Sequence, residues 1–350
     1  MINDQYSYRT TVPPVPKGIH RPLWSVIIPT YNCANYLRET LASVLAQAPG
    51  PEIMQIEVVD DHSTKDNPAE VVEELGRGRV GFYRQPKNLG HTGNFQTCLE
   101  RSRGKLIHLL HGDDCVRDGF YSKMQRAFDE QPELGAAFCR HIFMDDQGHW
   151  QSFSSLLQPE SGVLSNWLER IIVKQYIQTP SIVVRRDVYE RLGGFDRRFK
   201  FYYEDWEMWV RIATQYPVWY EVEPLAAYRL RSASNSGRSV RTGENVQDIR
   251  TGLEIVRSYL SNYLPQTTVN KLLNENKEYS ALCTLETARQ LLSLGDTEGG
   301  IAQIREALKC CHSIKVLKKL GLIFLKVGKQ QLRQLFSVIT PSLVKFQKTT

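Results

Sequence analysis

Ser25-Val26-Ile27-Ile28-Pro29-Thr30-Tyr31-Asn32 decides the fold. A short apolar run closed by proline is the mark of a buried strand. Working outward, residues 34–47 have helical spacing at Leu37, Leu41, Val44 and Leu45. A second strand over 56–59 ends in Asp60-Asp61, and 66–75 reads as a helix. Residues 80–84 form a third strand, 92–103 a helix and 105–110 a fourth strand. Strands alternating with helices imply a parallel sheet covered by helices on both faces. Strands one, two and four are nearly continuous apolar runs, as doubly covered strands should be.

Residues 118–223 are less regular. They predict helices over 119–130, 167–174 and 202–214, and strands over 136–143, 181–185 and 218–222. Beyond about residue 240 the pattern becomes helical, over 246–263, 270–294 and 301–310. Gly295-Asp296 is a stop and restart between the last two. Residues 1–22 hold Pro13, Pro14, Pro16 and Pro22 and read as an arm. The expected organisation is an N-terminal arm (1–22), an α/β domain (23–240) and a helical region (241–350) with a basic tail.

Composition excludes several classes. Hydrophobic residues make up 41% and charged residues 23%, which rules out collagen, coiled coil and wholesale disorder. The seven cysteines are scattered without a CxxC pair, so neither a zinc ribbon nor a disulfide framework is expected. Reduced, mostly buried thiols fit a reducing compartment. Residues 1–10 are polar, and no apolar stretch approaches the roughly 20 residues that span a bilayer. The body is therefore expected in the cytoplasm.

The net charge of +6 is unevenly placed. Residues 307–350 hold nine Lys/Arg and no acid, which leaves −3 for the remainder. Such a tail invites an anionic surface, lipid or nucleic acid. Its few aromatics, Phe324, Phe336 and Phe346, argue against nucleic acid. Val316, Leu320, Ile323 and Val327 share a helical face, with Lys315, Lys319 and Lys326 elsewhere. Two readings stand open: an amphipathic helix resting peripherally on the inner face of the membrane, or an ordinary helix packed on the body.

Ligands of open α/β sheets sit beyond the carboxyl ends of the strands. Here those ends carry Pro29-Thr30-Tyr31-Asn32, Asp60-Asp61-His62-Ser63, Asn88-Leu89-Gly90 and His111-Gly112-Asp113-Asp114. Each alone is also what a helix cap requires, but capping does not require paired acids. The turn after the first strand has no glycine, and no GxxxxGK[ST] exists, so backbone amides do not cradle phosphates here. Asp113 and Asp114 offer another device, a hard cation (Mg²⁺ or Mn²⁺) held against a diphosphate. Such an ion acts as a Lewis acid on a departing nucleoside diphosphate.

Five motifs carry a resemblance: SVIIPTYN (25–32), VVDDHST (58–64), NLG (88–90), GDD (112–114) and YEDWEMW (203–209). In this order and spacing the chain resembles family 2 glycosyltransferases over roughly residues 23–235. The resemblance implies a GT-A fold, a Rossmann-like, mostly parallel sheet flanked by helices, here with a C-terminal α-helical extension. It implies inverting transfer of a sugar from a nucleoside-diphosphate sugar, first among them a UDP-sugar. It places Pro29, Thr30 and Tyr31 beside base and ribose, and Asp61 on a base N–H. Asn88 and Gly90 belong to the segment closing over the nucleotide. Asp113 and Asp114 match the region that contacts ribose and metal. His111 stands where many relatives have Asp, and imidazole suits Mn²⁺ better than Mg²⁺.

Glycosyl transfer needs a base to take the acceptor hydroxyl's proton. The resemblance assigns that role to Asp205, with Glu204 as understudy. Tyr202 and Tyr203 are candidates for stacking on a sugar, whereas Trp206 and Trp209 read as core. Arg229 and Arg231 match a segment near the diphosphate, where a guanidinium is a bidentate clamp. Residues 232–243 read as a loop that orders over the donor, and 178–181 as part of the acceptor side. The acceptor class implied is a glycan or lipid-linked glycan, as in bacterial polysaccharide or glycolipid assembly. The alternative is a degenerate GT-A domain that binds nucleotide or glycan without turnover.

Overall fold

In this computed structural model, residues 8–231 and 235–325 are described. They fall into two compact units. The first comprises 8–171, 175–200 and 204–231, and the second 172–174, 201–203 and 235–325.

The quoted stretch forms β1 (Trp24–Thr30), buried along its whole length. Then follow α1 (Ala34–Leu45), β2 (Met54–Asp60), α2 (Pro68–Gly76), β3 (Gly81–Arg84), α3 (Gly90–Arg101) and β4 (Leu106–Leu109). The less regular middle gives β5 (Cys115–Val116), α4 (Phe120–Glu130), β6 (Ala136–Met144), β7 (Trp150–Phe153), β8 (Gly162–Val163), α5 (Trp167–Val173), β9 (Ile182–Arg185), α6 (Arg186–Leu192), α7 (Glu204–Ala213) and β10 (Val218–Arg229). The strands make one sheet in the order β3-β2-β1-β4-β9-β6-β10-β5, with β7 on β6 and β8 on β10.

The first four strands run parallel, as alternation with helices predicts. Past β4 the sheet turns mixed, because β9 is antiparallel to both β4 and β6 while β6 and β10 are parallel. The core around β1 joins Trp24, Val26, Ile28, Leu37, Met54 and Leu106. Each such aliphatic side chain stabilises the fold by about 1.5–3 kcal/mol when fully buried. Residue 10 also belongs to this unit. Thr10 donates its amide to the Phe195 carbonyl (3.3 Å) and accepts from the Gly194 amide (2.7 Å).

Three local expectations are corrected. The last strand does not stop at residue 222; β10 continues to Arg229 through a bulge around Pro224, so Tyr228-Arg229 lies on the strand rather than after it. The segment read as a loop over 232–243 contains α8 (Asn235–Thr242), while 232–234 lie outside the described residues. Helix α7 starts at Glu204, not at residue 202.

The second unit continues with α9 (Glu244–Leu260), α10 (Gln266–Ser293), α11 (Thr297–Cys310) and α12 (Ile314–Phe324). Asp296 caps α11 by accepting from the Gly299 amide, and Ser313 caps α12 by accepting from the Val316 amide. Val246, Ala281, Leu285, Ile304, Leu308 and Leu320 share one core. Tyr203 is buried here, and its hydroxyl accepts from Asn276 Nδ2 (3.1 Å). Val316, Leu320 and Ile323 of the tail pack into the same core, which is ordinary helix packing for that face. Val327 and the rest of the tail lie outside the described residues. Among the described residues no helix is long and apolar enough to cross a membrane.

Candidate active site

The carboxyl ends of β1, β2 and β4 are tied by continued backbone ladders. The Asp61 amide donates to the Thr30 carbonyl (2.8 Å), and the Gly112 amide to the Pro29 carbonyl (3.0 Å). Residue 112 must be glycine for this approach, because a Cβ there would lie 2.6 Å from Thr30 Oγ1. The N-cap residues of α1, α2, α3 and α4 make no side-chain cap bond.

Beside β1, Asn32 has a left-handed backbone (φ 50°), and its side-chain oxygen accepts from the amides of Thr64 (2.9 Å) and Lys65 (3.0 Å). Pro29 and Thr30 are buried on the rim, while Tyr31 is 40% exposed. An aromatic left this open at a rim is available to a flat ligand.

Asp61 is buried at the end of β2, and its Oδ1 accepts from the Leu89 amide (2.7 Å). Asn88 Nδ2 donates to the Asp61 carbonyl (3.0 Å), and the Gly90 amide donates to Asn88 Oδ1 (3.2 Å). Gly90 sits at φ 76°, a left-handed conformation that glycine adopts without cost. Asp61, Asn88 and Gly90, widely separated in sequence, thus form one knot. Burial pushes the Asp61 carboxyl up to about 6, although the Leu89 and Gly90 amides oppose the shift.

His111, Asp113 and Asp114 converge, with one ligand atom from each within 4.8 Å of the others. Asp114 Oδ1 accepts from the Arg229 amide (2.8 Å), and Oδ2 lies 3.5 Å from His111 Nδ1. Asp114 Oδ2 and His111 Nε2 are buried without a hydrogen-bond partner. Buried polar atoms are seldom left so. Burial pushes Asp114 up to about 6, against the pull of His111. His111 is itself raised: burial opposes its charge, but Asp114 outweighs it. Its ring stacks on Phe95 (centroids 5.3 Å apart).

Two arginines brace this turn. Arg231 Nη1 ion-pairs with Asp113 Oδ2 (2.7 Å). Arg229 is buried, and its guanidinium reaches the carbonyls of Asp113 (2.9 Å), Asp145 (3.3 Å) and Asp146 (3.1 Å) and the Glu39 carboxylate (2.6 Å). All three of its nitrogens are thereby engaged within the protein. Both guanidinium carbons lie over the Tyr36 ring, at 4.8 Å for Arg229 and 4.5 Å for Arg231.

Glu204 and Asp205 open α7. Asp205 Oδ1 accepts from the Trp206 amide (2.7 Å), and Oδ2 from Gln175 Nε2 (3.1 Å) and Thr179 Oγ1 (3.5 Å). Burial, then the adjacent Glu204, pushes Asp205 up to about 7. Glu204 goes the other way: burial alone would raise it, but His91 Nε2 at 3.4 Å holds it low. His111 acts electrostatically on both. Two neighbouring carboxyls pushed apart in proton affinity suggest a division of roles. Trp206 and Trp209 are buried core residues.

The sequence reading missed His91, Gln175, Phe95 and Tyr36. His91 follows NLG directly and had a positional signal. Gln175 had none, because only the fold returns it to α7.

Sheet and rim together define a GT-A-type α/β protein. A sequence model of glycosyl transferase family 2 matches residues 25–193. The uncharacterized protein MT1568 of Mycobacterium tuberculosis (strain CDC 1551 / Oshkosh) is 32% identical over 240 residues, 65% of this chain and 73% of the relative. S. aureus TarS 1-349, solved in complex with UDP-GlcNAc, superposes with a TM-score of 0.62 at 16% identity, covering 91% of this chain and 87% of that one. In a longer TarS chain the match takes in 52% of the length. The mannosyltransferase PcManGT from Pyrobaculum calidifontis, in complex with GDP-Man and Mn²⁺, gives 0.54 at 14% identity, over 96% of this chain and 90% of that one. At these identities the two structural likenesses are of fold alone. The chain belongs to glycosyl transferase family 2 and is a glycosyltransferase.

Proposed function

We propose that this chain moves a sugar from a UDP-sugar to a hydroxyl of a glycan or lipid-linked glycan, with inversion and with help from a divalent cation. One observation carries the reading. His111, Asp113 and Asp114 converge on the rim, and His111 acts electrostatically on a separate buried carboxylate, Asp205, that is raised to about 7.

The residues fit a metal. His111, Asp113 and Asp114 offer two carboxylates and an imidazole with one ligand atom from each within 4.8 Å of the others, and His111 Nε2 is buried without a hydrogen-bond partner. The imidazole favours Mn²⁺ over Mg²⁺. Bound there, such an ion would supply Lewis acidity to the departing diphosphate. Uridine is supported by the UDP-GlcNAc bound to TarS, and Mn²⁺ by the ion in PcManGT.

The chain's own residues do the rest. Tyr31 packs against the base, Pro29 and Thr30 shape the floor, and Asp61 accepts a base N–H. Asn88 and Gly90 hold the closing segment. Arg231, paired to Asp113, is the guanidinium that would meet the diphosphate, whereas Arg229 positions Asp113 and Asp114. Asp205 takes the acceptor proton while the hydroxyl attacks the anomeric carbon. A base with a pKa near the working pH is well matched to this task. Glu204, held ionised by His91, keeps Asp205 raised. The catalytic domain in this reading is 23–240, with the arm (1–22) and the helical region (241–350) attached. Free thiols support a cytoplasmic location on the biosynthetic side of bacterial polysaccharide or glycolipid assembly.

One observation favours a second reading, binding without turnover: Arg231 already neutralises Asp113. A panel of UDP-, GDP- and dTDP-sugars with Mn²⁺, Mg²⁺ or chelator, scored for nucleoside diphosphate release, separates the two. Metal-dependent release that Asp205→Asn abolishes is expected. Metal-dependent nucleotide binding without release from any donor, across a panel of glycan acceptors, would establish the second reading.

A further inference from the structure

Two short segments of chain that lead to Asp205 and its partner belong to the helical unit. Residues 172–174 run directly into Gln175, and residues 201–203 run directly into Glu204-Asp205. Gln175 Nε2 in turn donates to Asp205 Oδ2 (3.1 Å). The carboxylate and its amide partner are therefore each delivered by a stretch that the helices hold.

Two buried side chains make the attachment. Asp248 on α9 is 3% exposed, and its Oδ2 accepts from the amides of Phe201 (2.8 Å) and Tyr202 (3.0 Å). Hydrogen bonds from amides to a carboxylate are charge-assisted and strong. Asn276 on α10 is fully buried. Its Nδ2 donates to the Ile172 carbonyl (2.7 Å) and to the Tyr203 hydroxyl (3.1 Å), and its Oδ1 accepts from Ser280 Oγ (3.0 Å). One side-chain amide thus joins both segments.

The turn held in this way is strained. Tyr203 has φ 74°, a left-handed backbone that glycine adopts freely and a bulky residue does not. Such a residue persists where its surroundings over-determine it. Asp248 fixes the two amides before Tyr203, and Asn276 fixes its hydroxyl. The next residue opens α7.

We infer that Asp248 and Asn276 are positioning residues for sugar transfer: they hold the 201–203 turn, and through the chain they aim Asp205 at the acceptor hydroxyl. Both lie beyond residues 25–193, which the family model matches. The inference rests on the reading of Asp205 as the base.

Kinetics of the full chain, with kcat and nucleotide affinity measured separately, test it. Asp248→Ala should lower kcat by about 10- to 100-fold, the scale of a catalytic group displaced by a distant change. Nucleotide affinity by calorimetry should stay at the wild-type value. Asp248→Asn keeps an oxygen for the two amides and should recover most of the loss. Tyr203→Phe removes one hydroxyl and keeps the ring. It should lower kcat severalfold, and it carries the test if Asp248→Ala fails to fold. In an Asp205→Asn background neither change should lower kcat further, because residues that act as a unit are not additive. Wild-type kcat in Asp248→Ala, or in Tyr203→Phe where the former does not fold, overturns the inference. So do losses that add in full to that of Asp205→Asn, and losses that strike kcat and nucleotide affinity alike. Full turnover in Asp205→Asn itself would overturn the assignment of the base, and the inference with it.

Discussion

The two halves of the rim are fixed by different means. On the side proposed for the nucleotide, backbone ladders set the geometry: Asp61 follows Thr30, and Gly112 follows Pro29, through main-chain bonds that prolong the sheet. On the Asp205 side, the ties beyond its own helix come from the side chains of Gln175 and Thr179. A ladder fixes polar residues at a constant offset from an apolar strand, so a reader of the sequence can find them. Side-chain ties join segments whose sequence spacing means nothing by itself. The acceptor half should accordingly be the more mutable in specificity and the more sensitive in rate.

The largest effect tests the acceptor half. Asp205→Asn should lower kcat by about 10²- to 10⁴-fold, the usual worth of a general base. Nucleotide affinity, measured by calorimetry, should hardly change. A variant that loses nucleotide binding instead would move Asp205 to the donor half and erase the contrast. Next comes the ladder half. Asp113→Asn should cost about 10²-fold or more in kcat, with weakened dependence on Mn²⁺, since loss of even an outer-shell partner of a metal costs about 10- to 100-fold. A full metal response in this variant would exclude Asp113 as a ligand.

The pH dependence is smaller in scale but opposite in sign for two readouts. Asp205 must be ionised to act, so kcat/KM should climb as pH rises through about 7. Stability should run the other way. Asp61, Asp114 and Asp205 all have carboxyls raised in the fold, so the native state holds protons that the unfolded chain has released. Their stabilising effect is full below the unfolded carboxyl range and is lost as pH rises through about 6 to 7. The metal-free wild type should therefore lose thermal midpoint relative to Asp205→Asn between pH 5 and 8, while activity increases; burial lowers His108 and His141 to about 4 and adds an opposite slope that both proteins share. A wild-type midpoint that does not fall relative to the variant over that interval would show Asp205 to be ionised more readily than the buried geometry implies.

The legible part follows the same division. Ser25–Asn32 announced a buried strand with a polar end, and the paired acids at 60–61 and 113–114 lay where a parallel sheet presents its ligands. The antiparallel β9, the bulged extension of β10 to Arg229 and the helix at Asn235–Thr242 were not legible. Their placement is set by tertiary pairing, which periodicity does not encode. Arg229 shows the cost of this. Its motif neighbours pointed to a diphosphate, but burial under Tyr36 and against three carbonyls makes it a brace. The tail shows the reverse case, since its periodicity found a real apolar face and the fold put that face inward.

The smallest expected effect decides how far the side-chain half deserves its name. Thr179 Oγ1 lies 3.5 Å from Asp205 Oδ2, the long member of two contacts there. Thr179→Val keeps the shape and removes the hydroxyl. Losing a donor to a carboxylate disfavours its charged form, so the proton affinity of Asp205 should rise slightly. The Gln175 and Trp206 bonds remain, so the shift should be small. At pH 7 a smaller share of the base is then ionised, and kcat/KM should drop by about two- to fivefold, since each tenfold change is one pKa unit. At pH 9 the base is fully ionised in both proteins, and the rates should meet. A pH profile of the two enzymes reads this directly. Convergence at high pH would mean that Thr179 acts through Asp205. A loss that persists unchanged from pH 6 to 9 would mean that the hydroxyl holds the acceptor itself, and the tie to Asp205 would be incidental.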